Sequence, residues 1–418
     1  MRERLGRDCL YVPSCRLAMY LALRHWCRPG GRVLMSPVND DVIFFVVLAA
    51  GLRPVQAPLR PEDGSIDVAA VPESVWHGLS AVLTVNLYGN PDPAPELRSR
   101  CHLLGIPLIE DVAHALGSEI EGRLVGTFGE ASVFSLSKLP GAGTGGVLAY
   151  ADPALRPGFE RARDELLTAG SLPSELAYGV RPYAEAGVRG LRLTAAARAA
   201  VRLLGLVDRT DIRQSLRIDE LRRAMPAAGF PRALADFDSW IRVDMHDYRM
   251  RPGGLRLRRT ERMVARLDDR LAAHRAGTAK LLASRWAVRR PGPAPDRPQP
   301  LFRVPLLVAD RNAAIALLAE HRIATGYLYD PPLDDYAGEW LTDASPSPDA
   351  ARYFARHALP VDPLKAERVL AVLERSGVAP APPFTTGRPA GRRTGAPGAA
   401  AVDETVQLRA YPHGEPRV

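Results

Sequence analysis

Lysine is scarce in this chain: of its 55 Lys plus Arg residues only Lys138, Lys280 and Lys365 are lysines. Lys138 stands in "FSLSKLPGAGTGG" (134–146), at the end of an apolar run and directly before a glycine-rich loop. A lysine amine can lose its proton and attack a carbonyl to form a Schiff base, which the permanently charged guanidinium cannot do. A strand terminus also suits an ordinary surface lysine, so the residue alone leaves both readings open. Two further polar groups fall at strand ends, Asp111 in "PLIEDV" and Tyr88 in "AVLTVNLYG". Ligands of open α/β sheets gather at such carboxyl ends.

"GAGTGG" formally satisfies G-x-G-x-x-G, the dinucleotide fingerprint. The context excludes it, because "VLAY" follows as a strand where the fingerprint needs a helix N-terminus for the pyrophosphate. A nucleotide-hydrolase phosphate loop fails too, since no Gly-Lys-Ser/Thr follows the glycines. The loop reads as a hairpin-like connection that lets backbone approach something bulky beside Lys138.

The elements that must position these residues alternate from 14 to 150 between helix and short apolar strand, the pattern of a helix-covered, mostly parallel sheet. "SCRLAMYLALRHW" predicts a helix with Ser14 near its N-cap, and "GRVLMSP" a strand. "DDVIFFVVLAAG" predicts a buried helix closing on Gly51, followed by strands in "RPVQAP" and "AVLTVNLYG". "APELRSRCHLLG" is a helix, and "PLIEDV", "ASVFSLS" and "VLAY" are strands. Residues 151 to about 240 change character, becoming helical and arginine-rich. "LRLTAAARAAVRLLGL" is a basic amphipathic segment that suits a membrane surface, a partner or its own domain. "RRTERMVARLDDRLAAHRAGTAKLLA" predicts one long helix, and "FRVPLLVADRNAAIALLAEHRIATGYLY" a strand–helix–strand unit. From about 380 the Pro-, Gly- and Ala-rich tail buries too little apolar surface to offset its chain entropy.

The bulk composition excludes several classes. A length of 418 residues, 46% hydrophobic and 24% charged, describes an ordinary globular protein of two or three domains. No apolar run approaches a membrane span, and charges interrupt the start where a secretory signal needs an apolar core, so a cytoplasmic location is expected. Cys9, Cys15, Cys27 and Cys101 show no metal spacing and are expected as free thiols, with no metal. The net charge of +8 is spread along helical segments with few interleaved aromatics, so nucleic acid is not an expected partner.

"IEDVAHALGSEIEGRLVGTFGEASVFSLSKLPGAGTGG", with "VNLYGNPDP" upstream, resembles the DegT/DnrJ/StrS family of sugar aminotransferases. The likeness runs from about Ser14 to about Glu374, broken at 151–240. "DYRMRPGGLRLRRTERMVARLDDRL" and "IATGYLYDPPLDD" are similar to two later family segments. The resemblance implies an α/β fold of the aspartate-aminotransferase type (fold type I, pyridoxal-phosphate-dependent). Its large domain would span 1–240, with a helical insertion at about 160–240, followed by a small C-terminal α+β domain at 241–378 and a disordered tail at 379–418. It also implies pyridoxal 5'-phosphate as cofactor, a homodimer, and transfer of an amino group from an amino-acid donor to a keto sugar, plausibly nucleotide-linked. The alternatives are a noncatalytic relative that serves as a binding or regulatory partner, and another sugar-modifying reaction on the same cofactor. Dehydration is disfavoured, because the dehydrases of the family carry histidine where this chain has Lys138.

By the same resemblance Lys138 is the Schiff-base lysine and the base that moves the substrate proton. Asp111 would hold the pyridine nitrogen protonated. His114 would lie near the phenolic oxygen. Ser135, with Ser14, Cys15 and Arg16 in place of the family's Ser-Gly-Thr at a helix start, would bind the phosphate. The family's ring-stacking aromatic corresponds to Asn39-Asp40, so Tyr88 or Phe44 would have to substitute. The asparagine that a partner subunit supplies near the phosphate corresponds to Asp247, whose charge Arg249 or Arg16 would balance. Lys138 follows the strand two residues sooner than in the family.

Overall fold

The computed structural model describes residues 1–180, 213–225, 234–243, 247–287 and 298–385. The basic amphipathic segment at 191–206, part of the 160–240 insertion and the tail from 386 lie outside the described residues.

A seven-stranded sheet forms the large unit. Its strands are β1 (Asp8–Val12), β2 (Arg32–Met35), β3 (Arg53–Gln56), β4 (Ala81–Thr84), β5 (Leu108–Asp111), β6 (Ala131–Ser135) and β7 (Gly146–Tyr150), in the order β1-β7-β6-β5-β4-β2-β3. From β3 to β6 all neighbours are parallel, whereas β7 returns antiparallel to β6 and pairs antiparallel with β1. β4, β5, β6 and β7 are buried along their whole length, as expected for strands covered on both faces. β1 was not foreseen, since "RDCLYV" carries two charges into a short run.

One face carries α1 (Cys15–Trp26) and α2 (Asp41–Ala49); the other carries α3 (Ala94–Leu104). Ser14 caps α1, its Oγ accepting from the Leu17 amide at 3.2 Å, and Asp40 caps α2 through the Val42 amide at 3.0 Å. All nine residues of α2 are buried and all but Asp41 are apolar, and the helix closes on Gly51 at φ 80°. Phe44 is fully buried in that core, with its ring edge-on to Phe45.

Past the large unit the predicted long helix is two, α4 (Gly254–Ala265) and α5 (Leu267–Leu282), broken at Arg266. The strand–helix–strand expectation holds for β8 (Val304–Leu307) and α6 (Arg311–Glu320) only. "IATGYLY" is an extended loop rather than a strand, with Tyr327 at φ 64°. The antiparallel partner of β8 is instead β9 (Ala358–Val361), reached after α7 (Asp349–His357) and leading into α8 (Ala366–Arg375). Trp286, Leu306, Ile315 and Leu373 belong to the core of this unit. Residues 379–381 run along β8, with the Ala381 amide donating to the Leu307 carbonyl at 3.0 Å. The four cysteines are free thiols, and no helix among the described residues is long and apolar enough to cross a membrane.

Candidate active site

The carboxyl edge of the parallel strands collects the chemistry. Sheet order reverses between β2 and β4, so a crevice is expected outside their ends. Asp40 follows β2, Tyr88 follows β4, Asp111 ends β5, and Ser135 and Lys138 end β6. A surface groove of about 490 Å³ beside Arg4, Arg7 and Arg123 lies at the opposite edge, and its lining holds no carboxylate, histidine, lysine or cysteine.

Tyr88 sits in a turn that the sequence over-determines. Asn86, Tyr88 and Gly89 all have positive φ, at 46°, 58° and 98°. Buried Asp92 accepts the amides of Ile66, Val85 and Asn86 at 2.8–3.0 Å, while the Asn86 side chain donates to Thr84 Oγ1 and to the Asp111 carbonyl. These bonds offset the strain of left-handed non-glycine residues. A Cβ on Gly89 would meet the His114 carbonyl at 2.7 Å and the Phe302 amide at 2.9 Å, so only glycine lets segment 298–303 dock here. The Tyr88 ring consequently stacks on His114, at 6.3 Å and 8°, and on Tyr329 at 5.8 Å. Burial pushes its phenol up.

Asp111 is buried, and its carboxylate Oδ1 accepts the Ala113 amide at 2.9 Å. Desolvation pushes its carboxyl up to about 7; the Asp40 charge reinforces this and the Lys138 charge opposes it. A buried acid of this kind is matched by a cationic partner such as a protonated pyridine nitrogen. His114 is held well below its usual range by burial first, then by the charges of Lys138 and Arg303, so its ring is neutral. It stacks on Phe302 with 4.8 Å between centroids.

The Lys138 ammonium lies 3.9 Å from the centroid of the Tyr327 ring and 5.5 Å from that of Phe302. Its charge is felt at Asp111, His114 and Cys15, three of the groups that the sequence reading placed around the cofactor. The loop after it turns through Gly141, Gly143 and Gly145, all at positive φ. The Tyr178 hydroxyl donates to the Ala142 carbonyl, and the helical segment 172–180 that carries it is fixed by the buried Glu175–Arg256 pair at 3.1 Å.

The remaining predicted residues divide. Ser14 and Cys15 open α1 against β7, where a Cβ on Gly146 would lie 2.6 Å from the Cys15 amide nitrogen. Such a helix start favours a phosphate through its amides and its dipole. Burial holds the Cys15 thiol well above its usual range, so it stays neutral. Ser135 and Ser137 share a hydrogen bond at 2.9 Å beside it. Arg16 instead donates to the Ile241 carbonyl at 2.7 Å and lies over the Tyr248 ring. Asp247 accepts from Thr168 Oγ1 and from the Arg249 amide, and Arg249 pairs with Asp238 at 2.6 Å. The Arg249 guanidinium therefore pairs with Asp238, and one acceptor of Arg16 is the Ile241 carbonyl. Phe302, Arg303 and Tyr327 were missed because they arrive from some 190 residues away in chain order, on segments without periodicity. A pyridoxal phosphate group fits the residues that are present: an amine, a buried acid, a flat neutral ring and an anion-favouring helix start all share this edge.

Comparison with known proteins agrees with this geometry. The family profile described as DegT/DnrJ/EryC1/StrS aminotransferase matches residues 5–165. Over 158 residues the chain is 34% identical to L-glutamine:2-deoxy-scyllo-inosose aminotransferase of Streptomyces kanamyceticus, covering 37% of either chain, so it spans well under half of that curated relative. Among solved structures, a DegT DnrJ EryC1 StrS aminotransferase from Brucella abortus superposes with a TM-score of 0.60 at 15% identity, over 90% of this chain and 87% of that one. The GDP-4-keto-6-deoxy-D-mannose-3-dehydratase of E. coli, solved with hydrated PLP bound, gives 0.59 at 17% identity, over 89% and 88%. These neighbours show the fold, an α/β architecture of fold type I. Residues 5–165, the stretch that carries Ser14, Tyr88, Asp111, His114 and Lys138, are thus similar to the DegT/DnrJ/EryC1/StrS aminotransferase family.

Proposed function

We propose that the protein is a pyridoxal-phosphate-dependent aminotransferase that moves an amino group from an amino-acid donor, glutamine or glutamate, to a keto sugar. Nucleotide-linked sugars of secondary-metabolite or polysaccharide assembly are the substrate class. A homodimer with a cytoplasmic location belongs to the same proposal. The observation that carries the reading is the convergence of a scarce lysine and a buried acid on one strand edge, with the Lys138 charge acting on Asp111.

Bound pyridoxal phosphate supplies an electron sink that lowers the barrier to breaking a bond at the substrate carbon. Lys138 Nζ would hold it and, once the donor amine has displaced that nitrogen, would move the substrate proton. Asp111 keeps a proton on the pyridine nitrogen. Neutral His114 would lie near the phenolic oxygen, and the amides that open α1, with Ser14 and Ser135, would hold the phosphate.

Purified protein mixed with the cofactor is expected to show a visible absorption band that borohydride fixes onto Lys138, with Lys138→Ala abolishing it. Absence of the band in the wild type sinks the reading. A second reading, a noncatalytic relative, is favoured by one observation: Asn39 and Asp40 stand where the family has an aromatic ring, and the Asp40 charge bears on Asp111. Cofactor binding without conversion by L-glutamine or L-glutamate would select it.

A further inference from the structure

Two arginines meet at one carbonyl on the amino edge of the sheet, opposite the edge that carries Lys138. Arg7 NH2 donates to the Thr127 carbonyl at 2.9 Å and to that of Gly129 at 2.7 Å, and Arg123 NH2 donates to the same Thr127 oxygen. Arg123 Nε adds a bond to Thr127 Oγ1 at 3.0 Å, and its guanidinium lies 4.4 Å from the Phe128 ring centroid. Among the described residues neither arginine pairs with a carboxylate, and the NH1 of each has no acceptor. The two acids whose charges reach Arg7 are already engaged. Glu110 accepts the Gly126, Phe128 and Gly129 amides at 2.7–2.8 Å, and Glu130 accepts the Leu108 amide while pairing with Arg98. Burial holds the Arg7 guanidinium below its usual range; the Glu110 charge opposes this and that of Arg123 adds to it.

Two like charges held on one carbonyl oxygen repel, and a buried donor without an acceptor adds to the cost. An anion between the two forks removes both penalties. The groove of about 490 Å³ that they line takes a third arginine, Arg4, itself paired with Asp268, and no acid. Its size is that of a small-molecule site. An adjoining groove of about 400 Å³ shares Arg7 and Arg123 and adds the apolar side chains of Trp26, Phe128 and Leu155. Of its two acids, Glu130 is spent as above and Asp152 accepts the Ala154 amide. A carboxylate balances one charge, whereas a phosphate group carries about two and accepts from several donors at once.

We infer that Arg7 and Arg123 form a second anion site, remote from Lys138, that takes a phosphate group. The inference does not depend on the aminotransferase reading. The turn at 126–129 separates this site from Glu110, the residue before Asp111, and is the segment that responds to occupancy.

The test is titration calorimetry at about 0.15 M salt, which screens diffuse attraction. The proteins are wild type, Arg123→Gln, Arg7→Lys and Ser14→Ala, and the probes are inorganic pyrophosphate, ADP and acetate. Arg123→Gln and Arg7→Lys are expected to weaken pyrophosphate and ADP, Arg123→Gln by about tenfold or more, with acetate weak throughout. Arg123 is exposed, so its variant is expected to fold, and an unchanged melting temperature shows that it has. Tighter binding of ADP than of pyrophosphate assigns the site to a phosphate borne by an organic molecule, and equal binding to the free ion. Failure of pyrophosphate to bind the wild type, or equal affinity in wild type and Arg123→Gln, overturns the site. Acetate binding as tightly as pyrophosphate overturns it as well. So does loss of pyrophosphate in Ser14→Ala with Arg123→Gln unaffected, which moves the binding to the start of α1.

Discussion

The Tyr88 hydroxyl donates to the Tyr327 carbonyl at 2.6 Å, and both residues hold left-handed backbones, at φ 58° and φ 64°. Two strained residues from distant segments therefore fix one another, and between them they hold the ring over which Lys138 sits. Tyr88→Phe keeps the stacking and removes the bond. We expect a loss of about 1 kcal/mol, read as a lower urea midpoint at unchanged slope.

Gly89→Ala is expected to do more. The new Cβ would stand 2.7 Å from the His114 carbonyl and 2.9 Å from the Phe302 amide, at φ 98°. Backbone must move on one side or the other, at a cost of about 2–4 kcal/mol. Gly122→Ala has a positive φ of 74° but nothing within 4 Å, so its cost should stay near 1 kcal/mol. Thermal unfolding of the two variants checks the contrast.

Asp111→Asn should stabilise the cofactor-free protein while weakening its hold on the cofactor. Burial raises the folded pKa of Asp111 from 3.8 to about 7, so the folded state keeps the proton longer than the unfolded chain. The resulting penalty is absent below about pH 4, grows as pH rises to 7 and is constant above. The variant's gain in unfolding free energy should follow the same course and reach about 4 kcal/mol at pH 8. A gain that does not depend on pH would exclude this origin.

Lys138→Met removes one of the charges that hold His114 down. The His114 imidazole should titrate at higher pH in the variant, yet still below the ordinary histidine range, because desolvation is the larger cause. Proton NMR of the ring against pH measures this directly.

Glu175→Gln leaves Arg256 buried opposite a neutral amide. Breaking such a pair from one side costs about 3 kcal/mol. The helical segment at 172–180 should lose its footing, and with it the Tyr178 clasp on the lysine loop. Faster amide exchange at Ala142 and Gly143 is the expected signature.

The strand-end residues were legible because their position follows from alternation alone: a buried run ends, and the next polar side chain stands at the sheet edge. Lys138, Asp111 and Tyr88 were found in this way, and the Ser14 cap as the small polar residue that opens a helical pattern. Arg303 and Tyr327 were not, since nothing local marks an arginine that neutralises no acid or a tyrosine that turns left-handed. "IATGYLY" imitates a strand by composition, and only the Tyr88 hydroxyl, 239 residues away in the chain, shows why its backbone bends instead. The break at Arg266 was equally hidden, because the helical periodicity runs through it.

Gly146 lets the opening of α1 press against β7, and the Gly145 amide donates to the Pro13 carbonyl at 2.9 Å. The loop that carries Lys138 and the opening of α1 are thus one graft unit. A chimera that imports a relative's loop onto this body without the matching amino-terminal strand and turn would seat its lysine correctly and misplace the phosphate, whereas exchanging both together would keep the two in register.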